Sequence, residues 1–113
     1  MTFTTQDYQR ALAMEREARA WITLNADAWD AVLNIAFIEH EAGRTFGMAY
    51  IWEQIRKVNY TDITGQDTHC SNNLKPAIGR ILTEQYPELK QHLRLKKSYM
   101  DALNPDATIV AVA

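Results

Sequence analysis

The sequence predicts a mainly α-helical, small single domain with a short β-hairpin, winged helix-turn-helix-like in its order of elements. Three observations carry this expectation. Apolar residues recur at helical spacing in several consecutive segments, one stretch alternates β-branched and polar residues as a half-exposed strand does, and 113 residues allow one core but no two-domain cleft. The composition, 47% hydrophobic and 23% charged, is that of a folded chain rather than a disordered one.

The elements follow in order. Residues 5–20 are rich in Ala, Glu, Arg and Leu, with Tyr8 and Leu12 marking a helical period. The β-branched and polar residues at 21–25 interrupt that helix, and Asn25 or Asp27 can cap the next one. The second helix presents Trp29, Val32, Leu33, Ala36 and Phe37 on one stripe and ends at Gly43, a residue suited to the left-handed conformation after a helix. A third helix over 47–57 turns Ile51, Ile55 and Val58 inward, with Ala49 and Trp52 on its flank and Tyr50, Glu53, Gln54, Arg56 and Lys57 outward.

Residues 58–64 alternate as a strand, Gly65-Gln66-Asp67 supplies a turn, and 68–71 can return as the second strand of a wing. A fourth helix then carries Leu74, Ile78, Ile81, Leu82 and Tyr86. Pro76 lacks an N–H and belongs in its first turn, which favours Asn73 or a later residue as the cap over Asn72. Gly79 within it marks either close packing of another backbone or a tolerated weakness. Pro87 opens a short fifth helix through Leu89, Leu93 and Leu95, ending in the basic Arg94-Leu95-Lys96-Lys97. Residues 1–103 are expected to be the helical domain and 104–113 an uncharged apolar tail beyond Asp106, which either adds to a sheet edge, packs on the core or stays disordered.

Charge and cysteine usage narrow the function classes. The net charge of −2 argues against coating nucleic acid by bulk charge. Yet residues 1–45 hold four basic and seven acidic side chains, whereas 46–100 hold eight basic and five acidic, so a basic face in the second half is compatible with the composition. Cys70 is the single cysteine, which excludes an intramolecular disulfide, offers no sulfur cluster for structural zinc and fits a reducing cytoplasm. The first ten residues have no basic start followed by an apolar run, and no run of about 18 apolar residues occurs, so neither export nor membrane insertion is expected.

Several short motifs occur in a fixed order. W-x7-W-D-A-V-L-N-I-A-F-I spans Trp21 to Ile38, A-G-R-T-F-G spans Ala42 to Gly47, and I-W-E-Q-I-R spans Ile51 to Arg56. Ser71-Asn72-Asn73-Leu74, Gly79-Arg80-Ile81-Leu82 and Tyr86-Pro87-Glu88-Leu89 follow. Together, over about residues 21–97, they resemble a family of small phage and prophage proteins, from which Pro76, Gly79 and the less basic segment 58–70 depart. The resemblance implies a phage origin, hence the cytoplasm of a bacterial host, and no particular chemistry.

No catalytic constellation is expected. Consecutive positions on a helix point around its circumference, so Glu39-His40-Glu41 cannot converge on one metal, and His69-Cys70 lacks a second ligand pair. There is no glycine-rich phosphate loop and no inferable Ser-His-Asp set. The chain is therefore expected to act by binding, without cofactor or metal. The tryptophans Trp21, Trp29 and Trp52 are expected to fill the core.

Two binding modes remain. In the first, the protein binds a host or phage protein, for example as an inhibitor of a bacterial defence complex such as CRISPR-Cas (an anti-CRISPR). Asp7, Glu15, Glu17, Asp27, Glu39 and Glu41 would then face a basic partner. In the second, it is a winged-helix DNA-binding protein or regulator, with Gln54 and Arg56 near bases and Arg44, Lys57, Lys75 and Arg80 near the phosphates of duplex DNA. Against the second stands the thin cationic support of one Arg-Lys pair beside Glu53. A homodimer paired through residues 109–112 is a further expectation.

Overall fold

The computed structural model describes residues 1–111. Strand β1 (Thr2–Thr4) leads directly into α1 (Thr5–Leu24), because Thr4 and Asp7 close a reciprocal cap. The Asp7 N–H donates to the Thr4 hydroxyl (3.0 Å) and the Thr4 N–H to the Asp7 carboxylate (3.1 Å). The helix runs through Leu24, beyond the break expected after residue 20, since Trp21 is buried in the core and stays in helical register. The break falls at Asn25. Its buried amide donates to the Trp21 carbonyl (3.0 Å) and accepts from the Thr68 hydroxyl (2.7 Å), so it turns the chain and ties a distant loop. Ala11, Ala18 and Trp21 form the buried face of α1, while Tyr8 is exposed.

Helix α2 (Ala26–Glu41) buries Trp29, Val32 and Ala36 and leaves Leu33 and Phe37 half-buried against the core, as its periodicity indicates. Gly43 sits at φ 70°, the left-handed geometry anticipated for it. The two-residue strand β2 (Phe46–Gly47) then enters α3 (Met48–Arg56). Trp52, placed by sequence on the flank of that helix, is fully buried, and Val58, placed inward, is half exposed. The helix ends at Arg56, so Val58 no longer follows its period.

The expected wing is reduced to a single antiparallel bridge between Thr61 and Asp67. Residues 58–64 are not an extended strand. Instead Asp62 folds the loop on itself, its carboxylate accepting from the Thr64 hydroxyl (2.6 Å) and from the Thr64 and Gln66 N–H groups (2.8 and 3.1 Å), a local alternative to a ladder. The Thr68 N–H still donates across to the Tyr60 carbonyl (3.0 Å), but residues 69–71 are held by the tryptophan rings: Trp21 Nε1 donates to the His69 carbonyl and Trp52 Nε1 to the Ser71 carbonyl, both at 2.8 Å.

A 3-10 turn at Asn72–Leu74 precedes α4 (Lys75–Gln85), with Pro76 in the first turn. Gly79 is closely packed, but by side chains and not by another backbone: a Cβ on it would lie 2.5 Å from Leu95 Cδ2 and 3.1 Å from Met48 Cγ. In place of the expected fifth helix, a 3-10 turn at Pro87–Gln91 is followed by strand β3 (Leu93–Arg94), parallel to β2 with Phe46 opposite Leu93 and Gly47 opposite Arg94. Leu89 and Leu93 both reach the core by this route. A last 3-10 turn, Tyr99–Leu103, packs along α1.

Beyond residue 103, the first of the three outcomes considered for the tail holds for strand β4 (Thr108–Val110), which pairs parallel to β1. The proposed dimer contact includes Val112, which lies outside the described residues; within them Ile109 and Val110 are exposed. The molecule measures 45 × 35 × 19 Å, a plate about two helices thick. Its surface features therefore sit on two broad faces and the rim.

Candidate functional site

The β2–β3 pairing decides where the charges of the second half go. It lays residues 93–97 beside the start of α3, so that Arg94, Lys96 and Lys97 come to face Lys75 at the start of α4 across a groove of about 400 Å³. Gly47, Met48, Ala49, Pro76, Leu95 and Tyr99 supply its apolar surface. Five cationic side chains line it, the fifth being Arg80, and no carboxylate does.

Arg80 is the fastener of this wall. Its guanidinium bonds the Asp101 carboxylate (2.9 and 3.2 Å), the Lys96 carbonyl (2.7 Å) and the Pro76 carbonyl (3.1 Å), linking α4 to the segment that carries the other cations. Asp101 in turn accepts from the Ser98 N–H (3.1 Å), which caps the 3-10 turn holding Tyr99. The Arg10 guanidinium lies 4.0 Å from the centre of the Tyr99 ring. With Arg80 neutralised by Asp101, the groove keeps Lys75, Arg94, Lys96 and Lys97, none of which forms an ion pair among the described residues.

The residues proposed for DNA contact therefore divide. Lys75 and Arg80 line the groove, Arg80 in a structural role. Arg56 lies next to it, donating to the Cys70 carbonyl and to Asn72 Oδ1 (2.8 Å), and Asn72 is itself a groove residue. Gln54 and Lys57 are outside the groove lining. Arg44 is turned to α2, where it grips Glu39 through two bonds (2.6 and 3.1 Å). Arg94, Lys96, Lys97 and Tyr99 were missed as site residues. The signal was the basic run at 94–97, read as a helix end.

Three members of the acidic set are engaged within the fold. Asp7 caps α1, Glu15 pairs with Arg19 (3.2 Å), and Glu39 is buried against Arg44. Glu17, Asp27 and Glu41 are exposed, Asp27 and Glu41 about 21 Å apart along α2 at 1.5 Å per residue. The hydrogen bond from Arg44 holds the Glu39 carboxyl below the usual carboxylate range, with Tyr50 adding a weaker one (3.5 Å).

Other features carry less chemistry. A larger depression of about 790 Å³ shares Arg80, Lys96 and Lys97 with the groove and adds Lys90 and three carboxylates, Glu15, Glu84 and Asp101, so it has little net preference for charge. His40 and His92 meet through Nδ1 atoms 2.9 Å apart. Cys70 is half-buried, and desolvation pushes its thiol pKa up against the opposing charge of Arg56. Among the described residues no three His, Cys, Asp or Glu side chains are grouped to hold a metal ion, and no helix is long and apolar enough to cross a membrane. Comparison with family models, curated proteins and solved structures finds no match to this chain.

Proposed function

We propose that the protein binds nucleic acid through the groove between α3, α4 and residues 94–99. The observation that supports this is the segregation of charge. A chain of net charge −2 gathers four cations without an ion-pair partner around one concave surface, beside an Arg80 neutralised by Asp101, and a polyanion is the ligand that such a surface attracts. Salt-dependent binding is the test. With four unpaired cations and a slope near −0.7 per phosphate contact on a single strand, log affinity against log salt falls with a slope of about −3, and reversing Lys96 and Lys97 to glutamate abolishes binding. Absence of binding to any oligonucleotide at low salt refutes the proposal.

Binding to a host or phage protein, including a defence complex, is the second reading. What favours it is an exposed apolar pair away from the groove, Leu24 and Ile63, joined by a 3.0 Å bond from the Ile63 N–H to the Leu24 carbonyl. Substituting both by serine and sizing the protein with and without a candidate partner tests this reading.

A further inference from the structure

The groove has more apolar surface than phosphate recognition needs. Gly47, Met48, Ala49, Pro76, Leu95 and Tyr99 form its floor and walls beneath the cationic rim. A duplex presents only sugar and phosphate along its backbone, with the bases stacked inside, and has nothing flat and apolar to place in such a hollow. An unpaired base has a face to lay there, and stacking on an aromatic side chain is the usual way a protein holds one. The volume of about 400 Å³ falls in the range of sites that enclose a ligand group.

The helix that would read a duplex is also poorly equipped. Helix α3 buries Ile51, Trp52 and Ile55, commits Arg56 to Cys70 and Asn72, and leaves Glu53 exposed, where a phosphate backbone would be repelled. Tyr99, by contrast, lines the groove and is steadied by the Arg10 guanidinium over its ring.

Building on the nucleic-acid reading above, we infer that the groove takes single-stranded nucleic acid, with one base laid on the apolar floor beside Tyr99 and the flanking phosphates held by Lys75, Arg94, Lys96 and Lys97. Tyr99 sets the preference for an unpaired strand, and the cations supply sequence-independent affinity.

The test compares a fluorescein-labelled oligothymidine with a duplex of equal length, by anisotropy at one salt concentration. The single strand should bind at least about tenfold more tightly. Tyr99→Leu, which keeps an apolar side chain against the core, should lower that affinity at least about fivefold while the salt slope stays unchanged, and Tyr99→Phe should restore it. Ala49→Leu, at an exposed helical position, fills the floor without altering charge; it should weaken the single strand and spare any residual duplex binding. Melting curves establish that each variant is folded, and if Tyr99→Leu is not, Ala49→Leu decides. Duplex binding equal to or tighter than single-strand binding overturns this inference and leaves the nucleic-acid reading standing. A folded Tyr99→Leu or Ala49→Leu variant that binds like the parent overturns the base placement. No binding to either oligonucleotide removes both.

Discussion

Trp21 and Trp52 lie with ring centres 5.2 Å apart at 40°, and each donates its indole N–H to a carbonyl of the same loop, at His69 and Ser71. The pair anchors residues 69–71 to the core, in place of the strand pairing that the alternation of residues 58–64 suggests. Trp52→Phe removes the indole donor and part of a fully buried ring, leaving the Ser71 carbonyl with the Leu74 N–H alone (3.1 Å). It should cost about 1–3 kcal/mol in denaturant unfolding and speed amide exchange in 68–72 more than in α2.

Glu39 and Arg44 predict a stability difference with a defined sign. The carboxyl of Glu39 is lowered first by its hydrogen bond from Arg44, so the folded state favours the ionised form. Its contribution is complete above the ordinary glutamate pKa and is lost as pH falls through the lower folded value. Glu39→Gln should therefore melt below the parent at neutral pH, and the two melting temperatures should converge below about pH 4.

Gly79→Ala sets helix propensity against packing. Alanine gains about 1 kcal/mol in a helix interior, but its Cβ meets Leu95 Cδ2 and the buried Met48 Cγ, and overpacking of this kind costs about 1–3 kcal/mol. The single variant should be less stable than the parent and should bind nucleic acid more weakly, because Leu95 and Met48 form the groove floor. With Leu95→Ala in the background, Gly79→Ala should become neutral or stabilising.

His40 and His92 share one hydrogen bond, Nδ1 to Nδ1, so one ring donates and the other accepts. That contact ties the end of α2 to the residue whose carbonyl accepts from the Phe46 N–H (3.0 Å). Each single alanine variant should lose about 1 kcal/mol, and the double variant should lose less than the sum, a coupling of about 0.5–1.5 kcal/mol in a double-mutant cycle. Additivity would show that the rings do not interact.

Cys70 should be a slow thiol. Burial disfavours its thiolate and raises the pKa, which the Arg56 charge only partly offsets. Alkylation at neutral pH should be slower than for a cysteine in an unstructured peptide, and its pH-rate profile should be displaced upward. Arg56→Gln should slow it further.

The helices were legible because their signals are local. The stripe on α2, the proline in the first turn of α4 and the left-handed Gly43 follow from side-chain spacing and backbone sterics within a few residues. Trp52 fills the core as expected of the tryptophans although its helical angle puts it on the flank of α3, because periodicity gives an angle around an axis and not which neighbours close over it. The strands β2 and β3 were not legible as such. Two-residue β2 and β3 carry no periodic signal, and they pair because Phe46 and Leu93 are drawn into one core from positions far apart in the chain.

The same division holds for the site. By itself the sequence determined that cationic residues concentrate in its second half, since charge content is a property of the chain. Only the tertiary structure decided which cations act together. The β2–β3 pairing carries the 94–97 run to α3 and α4, Asp101 neutralises Arg80, and Glu39 draws Arg44 away to α2. Electrostatic interaction depends on distance in space, and for residues separated by tens of positions that distance is set by the packing of the core.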